Sequence, residues 1–218
     1  TQAPLAERLR PRSLDLIRGQ EHLLGPQGPL RRMVEGGRVS SFILWGPPGT
    51  GKTTIARWMA RELGWPFHAL NAVSSGVREV REVIAQGREN RRTGRSTLLF
   101  IDEIHRFNKA QQDALLSAVE SGDLVLIGAT TENPSFEVIP ALRSRARVYV
   151  LNPLEEDALR EILSRALRED PLLMRLEGRA VDEDALLHLS GGDARQMLSL
   201  LEEAAHWALQ ESGKGVDA

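Results

Sequence analysis

Two adjacent carboxylates, Asp102 and Glu103, directly follow the apolar run "LLFI" at residues 98–101. Such a run is typical of a buried strand, and carboxylates at its end cost free energy unless a cation lies opposite them. His105 and Arg106 follow shortly after, and they are interpreted as structural or partner-facing groups rather than catalytic ones. The cation must therefore come from elsewhere.

A glycine-rich segment could bind a phosphate ligand that carries such a cation. Residues 46–53, "GPPGTGKT", fit the P-loop pattern G-x-x-x-x-G-K-[ST] between a strand candidate and a helix candidate. The glycines let backbone N–H groups surround phosphates, and the following helix adds its dipole. The predicted nucleotide-binding residues of this loop are Gly46, Pro47, Pro48, Gly49, Thr50, Gly51, Lys52, Thr53 and Thr54.

ATP and Mg²⁺ are the cofactors that this pattern predicts. Lys52 can reach the β- and γ-phosphates, and the Thr53 hydroxyl can ligate Mg²⁺. Asp102 would hold the same ion, mostly through water, while Glu103 orients or deprotonates the attacking water. This interpretation places the strand that ends at Asp102 directly beside the P-loop strand.

Polar residues later in the sequence indicate which further side chains could contact the phosphates. The segment "GATTEN" puts Thr131, or its neighbour Thr130, at the carboxyl edge of a parallel sheet, where ligands bind. A hydroxyl there can bond the γ-phosphate or the lytic water, or simply satisfy the following turn. Arg143 and Arg145 precede the last strand candidate, and each is either an arginine finger for a neighbouring nucleotide or an ordinary surface residue. Arg195 lies in the first turn of a helix, where the macrodipole disfavours a cation, so a phosphate partner is suspected.

Strand and helix candidates alternate through the first 150 residues. Predicted strands cover 41–45, 66–72, 96–101, 124–129 and 147–150, and predicted helices cover 52–63, 77–90 and 109–122. This alternation predicts an α/β fold with a parallel sheet between helices. Helices at 155–168, 182–190 and 193–210 follow without a strand. The predicted domains are 1–150 (α/β), 151–210 (a small all-α domain) and 211–218 (a flexible tail), in a chain interpreted as a fragment of a longer protein.

Composition excludes several classes of protein. The 218 residues carry a formal net charge of −2, so generic polyanion binding is not expected. With no cysteine, disulfides and thiolate metal sites are excluded. Neither a signal peptide nor an apolar run of about 18 residues is present in the sequence, so a cytoplasmic protein with no membrane partner is expected.

Five phrases carry a resemblance to a known family. The chain resembles AAA+ ATPases of the clamp-loader and RuvB-like branch, and within them the RarA/MgsA family (replication-associated recombination protein A, related to the Werner-helicase-interacting protein). The phrases are "PLAERLRPRSLDLIRGQEHLLG", "FILWGPPGTGKTTIA", "FIDEIHRFNKAQQDALLSAVE", "IGATTENPSFEVIPALRSRARVY" and "GGDARQMLSLLE". The resemblance implies a five-stranded P-loop AAA+ sheet sandwiched by helices, followed by a helical lid.

The resemblance also implies residue roles. Thr131 is similar to sensor 1, and Arg195 is similar to sensor 2 of the lid. Arg145 is similar to the trans-acting finger, with Arg143 as the competing candidate. Asn71 occupies a position from which a polar group can restrain the catalytic glutamate. A strip on the adenine side comprises Leu9, Arg10, Pro11, Ile17 and Gln20.

The implied activity is a DNA-dependent ATPase that remodels protein–DNA complexes in replication-fork maintenance, recombination and repair. The alternatives are a nucleotide-gated assembly module and a RuvB-like branch-migration motor. Expected partners are further copies of the chain (a family tetramer that needs a C-terminal half), DNA with single-stranded ends, gaps or forks, and single-strand-binding protein. The expected location is the nucleoid.

Residues 76–96 are rich in arginine. Six arginines against three glutamates give this segment a net charge of +3. The DNA-contacting candidates are Arg78, Arg81, Arg88, Arg91 and Arg92, with Arg95 beyond them. By itself the pattern favours a solvated helix with local ion pairs. The resemblance places the matching helix at a central DNA channel and so favours salt-sensitive phosphate contact.

Overall fold

A computed structural model describes residues 3–176 and 181–213. Within these residues the chain forms two compact units. The sheet unit comprises residues 20–47 and 51–152, and the helical unit comprises the described parts of 1–19, 48–50 and 153–218. Residues 3–19, which the sequence pattern assigns to the α/β domain, therefore belong to the helical unit.

The sheet unit contains one parallel sheet of five strands. The strands are β1 (Phe42–Trp45), β2 (Phe67–Asn71), β3 (Leu98–Asp102), β4 (Val125–Thr130) and β5 (Arg147–Val150), in the order β2-β3-β4-β1-β5. Its helices are α2 (Glu21–Leu24), α3 (Pro29–Glu35), α4 (Lys52–Leu63), α5 (Val77–Arg92), α6 (Lys109–Ser121), α7 (Pro134–Glu137) and α8 (Pro140–Arg143), with a 3-10 turn at Ile104–Arg106. The predicted α/β fold is confirmed.

The predicted adjacency of β1 and β3 is wrong, because β4 lies between them. Ile127 of β4 pairs with Phe42 on one side and with Phe100 on the other. Five consecutive β4 residues, 126–130, are buried. A strand that is buried on both faces and bonded on both edges suits the centre of a parallel sheet.

The outer edge of β5 is met by side chains rather than by a strand. The Gln20 side-chain amide donates to the Asn152 carbonyl (2.8 Å) and accepts from the Asn152 N–H (3.0 Å). His22 Nε2 donates to the Val150 carbonyl at 2.8 Å. Gln20 is buried and adopts a left-handed backbone conformation (φ 66°), which is uncommon for a residue other than glycine.

The helical unit packs short and long helices around its own apolar core. Its helices are α1 (Leu5–Arg8), α9 (Glu156–Glu169), α10 (Pro171–Met174), α11 (Glu183–Ser190) and α12 (Ala194–Gly213), with a 3-10 turn at Leu14–Leu16. Leu5, Leu163 and Met197 are fully buried in this core. Of the predicted tail, residues 211–213 complete α12, and residues 214–218 lie outside the described residues.

A buried carboxylate anchors α1 within the helical unit. Asp170, 2% exposed, accepts two hydrogen bonds from the Arg8 guanidinium (2.9 and 3.0 Å) and caps α10 through the Leu172 N–H. Burial alone raises the pKa of the Asp170 carboxyl, but the bonds and charge of Arg8 outweigh it and hold the pKa below its usual range. Arg8 also bonds Glu202 at 2.7 Å.

None of the helices within residues 3–176 and 181–213 combines the length and the apolar character that a membrane span requires.

Replacing Arg8 tests the importance of this pair for folding. Arg8→Ala leaves the Asp170 carboxylate buried without its cation, so we expect a loss of about 2 kcal/mol in the free energy of unfolding at pH 7. The contribution is present above the unfolded-state pKa of Asp170 and disappears as the pH falls through the lower folded-state pKa. Urea titrations between pH 7 and pH 3 measure both quantities.

The matched control is Arg18→Ala, because Arg18 forms a more exposed ion pair with Glu161 in the same unit. It should cost no more than about 1 kcal/mol at pH 7. Equal losses for the two variants would show that the buried pair has no special importance.

Candidate active site

The P-loop begins where β1 and β4 end. The Gly46 N–H donates to the Thr130 carbonyl at 3.1 Å, so the loop leaves the sheet beside the last residue of β4. A Cβ at residue 46 would lie 2.4 Å from the Leu151 carbonyl oxygen, and only glycine permits this approach. The two contacts fix the start of the loop at the carboxyl edge of the sheet.

The loop geometry fits a chain of phosphates. Gly49 (φ 71°) and Gly51 (φ 100°) have left-handed backbones, and α4 begins at Lys52, with Thr53 in its first turn. Lys52 is buried, and its Nζ donates to the carbonyls of Gly46 (2.8 Å) and Pro47 (2.6 Å). An ammonium inside the curve of the loop, at a helix N-terminus, is a cationic environment that suits phosphate oxygens.

The two predicted acids lie two strands away. Asp102 ends β3, and Glu103 directly precedes the 3-10 turn with a left-handed backbone (φ 56°). A positive φ at a side chain other than glycine costs free energy and is frequent at functional sites. Gly128 of β4 makes room for the turn, because a Cβ there would lie 2.9 Å from Ile104 Cδ1.

A third group, which the sequence pattern left as structural or partner-facing, contacts Glu103 directly. The His105 side chain is 8% exposed; its Nε2 lies 3.1 Å from Glu103 Oε2, and its Nδ1 lies 2.9 Å from Thr130 Oγ1. Thr130 is 25 residues away along the chain. The sequence therefore carries no local signal of this contact beyond the polarity of His105.

The two threonines after β4 differ in their surroundings. Thr130 is fully buried and its Oγ1 accepts the Glu132 N–H at 3.0 Å, which is the turn-satisfying role. Thr131 is half-buried at the edge of the sheet. Asn71 Oδ1 accepts the Val73 N–H at 2.9 Å, so its side-chain oxygen holds the turn after β2. In the described structure, the side chain that holds Glu103 is His105.

Of the two finger candidates, Arg143 is the last residue of α8 and Arg145 follows the helix. Arg145 is 43% exposed; its Nη2 lies 2.6 Å from Glu120 Oε1, and its Nη1 donates to the Ala141 carbonyl at 3.1 Å. Arg143 is half-buried, and its Nε has no hydrogen-bond partner among the described residues. Arg145 is therefore the more exposed candidate, although an acid of its own chain already binds it.

The adenine-strip candidates are divided between the units. Leu9 is buried in the core of the helical unit, and its carbonyl accepts from Arg165 Nη2 at 2.5 Å. Arg10 forms an ion pair with Glu7, and Gln20 of the sheet unit uses its amide on Asn152. Pro11 and Ile17 are half-buried.

Arg195, the sensor 2 candidate, is exposed at the start of α12. Its backbone N–H donates to Asp193 Oδ1 at 2.8 Å, and the Gln196 N–H donates to the same oxygen at 3.0 Å. Asp193 thus serves as the N-cap of α12, and Arg195 lies in the first turn of that helix.

Most of the arginines that the sequence pattern assigned to DNA have acidic partners. Arg88 and Arg91 each lie 3.3 Å from the buried Asp123 carboxylate. Burial alone raises the pKa of Asp123, but hydrogen bonds from Ser121 and the two arginines outweigh it and hold the pKa below its usual value. Two further pairs lie along α5: Arg78–Glu82 and Arg92–Glu89. Among the described residues, Arg81 and Arg95 are exposed without an ion-pair partner.

The central part of the chain matches a known protein family. Residues 42–154, which is more than half of the chain, match the family described as "ATPase family associated with various cellular activities (AAA)". The chain belongs to the AAA family. The matched range contains the P-loop, the two acids and both threonines of this AAA chain.

Individual relatives confirm the narrower resemblance to the RarA family. The chain is 48% identical over 222 residues to replication-associated recombination protein A of Escherichia coli K12, covering 98% of this chain and 48% of that protein. It is 46% identical over 206 residues to ATPase WRNIP1 of Dictyostelium discoideum, covering 93% of this chain and 23% of that protein. The chain thus spans about half the length of the bacterial relative.

Solved structures support the fold of this AAA chain. The Thermotoga maritima RuvB Holliday junction branch migration motor aligns with a TM-score of 0.72 and 32% identity, covering 89% of this chain and 64% of that one. The predicted five-stranded AAA+ sheet is therefore confirmed by both the topology and its structural neighbours.

The strained backbone of Glu103 gives a stability test. At a left-handed position glycine is free of the Cβ penalty, so we expect Glu103→Gly to be about 1 kcal/mol more stable than Glu103→Ala. The control pair is Glu82→Gly and Glu82→Ala in the middle of α5, where the order should reverse by about 1 kcal/mol. Urea unfolding measures all four variants, and the same order at both positions would contradict strain at Glu103.

Proposed function

We propose that the protein is a Mg²⁺-dependent ATPase whose hydrolysis site lies at the carboxyl edge of β3, β4 and β1. The observation that supports this most strongly is the convergence of three segments at that edge: the P-loop after β1, the threonine turn after β4 and the acid pair after β3. Ligands bind at this edge in open parallel sheets.

Each of these segments has its own role in the proposal. Lys52 and the P-loop N–H groups bind the phosphates, and Thr53 and Asp102 hold Mg²⁺. When bound, Mg²⁺ neutralises charge on the phosphate oxygens. Glu103 accepts a proton from the attacking water, and the Thr131 hydroxyl donates to a phosphate oxygen or holds that water.

Residues outside that edge complete the proposed cycle. Arg195 binds phosphate from the lid, and Arg145 acts on the nucleotide of a neighbouring copy, with Arg143 as the competing candidate. Segment 9–20 flanks the adenine. Because Leu9 is buried and the Gln20 amide bonds Asn152, neither of these two side chains is assigned a contact with the base.

The proposed biological role follows from the relatives. Similarity to replication-associated recombination protein A supports a DNA-stimulated ATPase that remodels protein–DNA complexes at replication forks during recombination and repair. Its partners would be DNA with single-stranded ends, gaps or forks, single-strand-binding protein and other copies of the chain. A tetramer would require sequence of the kind found in the other half of the relatives, and a nucleoid location would follow from DNA binding.

A second candidate has its own support. The structural likeness to a branch migration motor favours movement of DNA junctions. ATP-dependent migration of a synthetic four-way junction would favour that candidate over fork-directed remodelling.

The proposed DNA surface is smaller than the sequence pattern indicates. Arg81 of α5 and Arg95 after it are exposed without acidic partners among the described residues, so these two are free for phosphate contact. Arg88 and Arg91 instead form ion pairs with the buried Asp123 carboxylate, so we leave them out of the proposed DNA surface.

Two substitutions separate nucleotide binding from hydrolysis. Lys52→Ala removes the cation of the P-loop, so we expect ATP affinity to fall at least about 100-fold. Glu103→Gln retains the side-chain shape without the base, so ATP affinity should remain while turnover falls by about 100-fold or more. Titration with a fluorescent ATP analogue and steady-state phosphate release, with and without forked DNA, measure the two effects. Normal turnover in Glu103→Gln would contradict the proposed base.

The trans role of Arg145 is tested in mixtures. Glu103→Gln subunits carry an intact finger, and Arg145→Ala subunits carry an intact base. If the finger acts in trans, mixing the two inactive variants should restore part of the turnover, because some interfaces pair an intact base with an intact finger. Arg143→Ala in place of Arg145→Ala is the matched comparison. No recovery in any ratio, in samples that light scattering shows to be assembled, would contradict trans action.

The DNA surface is tested by salt dependence. Arg81→Ala should weaken binding to single-stranded and forked DNA alike and reduce the slope of log affinity against log salt by about one unit. Arg38→Ala, an exposed arginine outside α5, is the control and should leave the slope unchanged. Fluorescence anisotropy between 50 and 200 mM salt provides the measurement, and equal slopes for wild type and Arg81→Ala would remove α5 from the interface.

A further inference from the structure

A buried histidine joins the proposed catalytic acid to the end of β4. The His105 ring contacts Glu103 Oε2 through Nε2 and Thr130 Oγ1 through Nδ1, at 3.1 and 2.9 Å. The His105 side chain is 8% exposed and Thr130 is fully buried. Both ring nitrogens therefore have defined partners: Glu103 before the 3-10 turn, and Thr130 at the end of β4.

Proton counting identifies the direction of each bond. Thr130 Oγ1 accepts the Glu132 N–H at 3.0 Å, and its own proton can go to His105 Nδ1 at 2.9 Å or to the Glu132 carbonyl at 3.2 Å. A carboxylate oxygen can only accept, so the hydrogen between His105 and Glu103 belongs to His105 Nε2. A neutral imidazole with its hydrogen on Nε2 has none on Nδ1, so Nδ1 accepts from the Thr130 hydroxyl.

We propose that His105 is a positioning residue for ATP hydrolysis: it holds one carboxylate oxygen of Glu103 and links it to the threonine turn that carries Thr131. The inference depends on the proposed role of Glu103 as base. Glu103 has three rotatable side-chain bonds, so fixing Oε2 restricts where Oε1 can meet a water molecule. The same arrangement, a base oriented by a third group, recurs in enzymes with activated nucleophiles.

Because Thr130 and Thr131 are consecutive, the link also connects two parts of the site. A movement of the turn after β4 would be transmitted through Thr130 Oγ1 and the imidazole to the Glu103 carboxylate. His105 would thereby adjust the base when a ligand contacts Thr131.

Turnover measurements test the positioning role. His105→Ala should lower kcat for ATP about tenfold while the KM for ATP and the melting temperature change little, because the nucleotide-binding loop is untouched. His105→Gln offers an N–H near the position of Nε2 and should recover part of the loss. The matched control is His22→Ala, which removes another histidine with a single ring bond to the Val150 carbonyl. An unchanged kcat in His105→Ala would overturn the proposal, as would parallel falls in melting temperature and ATP affinity.

The link to Thr130 is tested by a double substitution. Thr130→Val removes the hydroxyl, so kcat should fall in the same direction as in His105→Ala but by less. The combined variant should be no slower than His105→Ala alone, because both changes interrupt one chain of contacts. Multiplying losses would show that the two residues act independently and would overturn the coupling.

Histidine NMR tests the geometry without requiring turnover. The chain has five histidines, and ¹⁵N labelling with His105→Ala as the assignment control should show His105 as the Nε2–H tautomer at pH 7.5. Glu103→Gln should shift its Nε2 signal, and Thr130→Val should shift its Nδ1 signal. An Nδ1–H tautomer would overturn the inference. Normal turnover in Glu103→Gln together with the expected NMR signals would instead overturn the proposed base and leave the contact intact.

Discussion

The hydrogen bond from the Gly46 N–H to the Thr130 carbonyl sets the geometry of the whole edge. It fixes the P-loop at the end of β4, and β4 separates the P-loop from the acids of β3. Neighbouring strands lie about 4.8 Å apart, so the loop and the acids are separated by about 10 Å. A separation of about 10 Å accommodates phosphate groups and a metal ion. If β1 and β3 were direct neighbours, the loop and the acids would be only about 5 Å apart.

Local features of the site could be predicted from the sequence, and nonlocal ones could not. The P-loop, Lys52 and the acid pair each depend on a few consecutive residues and their preceding strand. Strand order depends on pairings between distant segments. The local sequence pattern therefore could not show that β4 lies between β3 and β1. The role of His105 could not be predicted for the same reason. Its partner Thr130 is 25 residues away along the chain, and only the fold brings the two side chains together.

Arginine-rich segments show a second limit of prediction from composition. Counting charges along residues 76–96 treats every arginine as available to a polyanion. In the structure, the Asp123 carboxylate at the end of α6 approaches two of them, and neighbouring glutamates approach two more. A net charge of +3 in sequence thus corresponds to few cations that are free of acids, and two of the paired arginines, Arg88 and Arg91, connect α5 to Asp123 after α6.

The side chains at the outer edge of β5 have a consequence for the behaviour of the protein in concentrated solution. Because Leu151 directs its N–H to Trp45 of β1, the residues on either side of it direct their backbone groups away from the sheet. Those groups include the Val150 carbonyl and both backbone groups of Asn152, and His22 and Gln20 occupy these three. An incoming strand from a second, partly unfolded molecule would find these three groups already bonded. The left-handed turn at Gln20 therefore helps protect the protein against edge-to-edge aggregation.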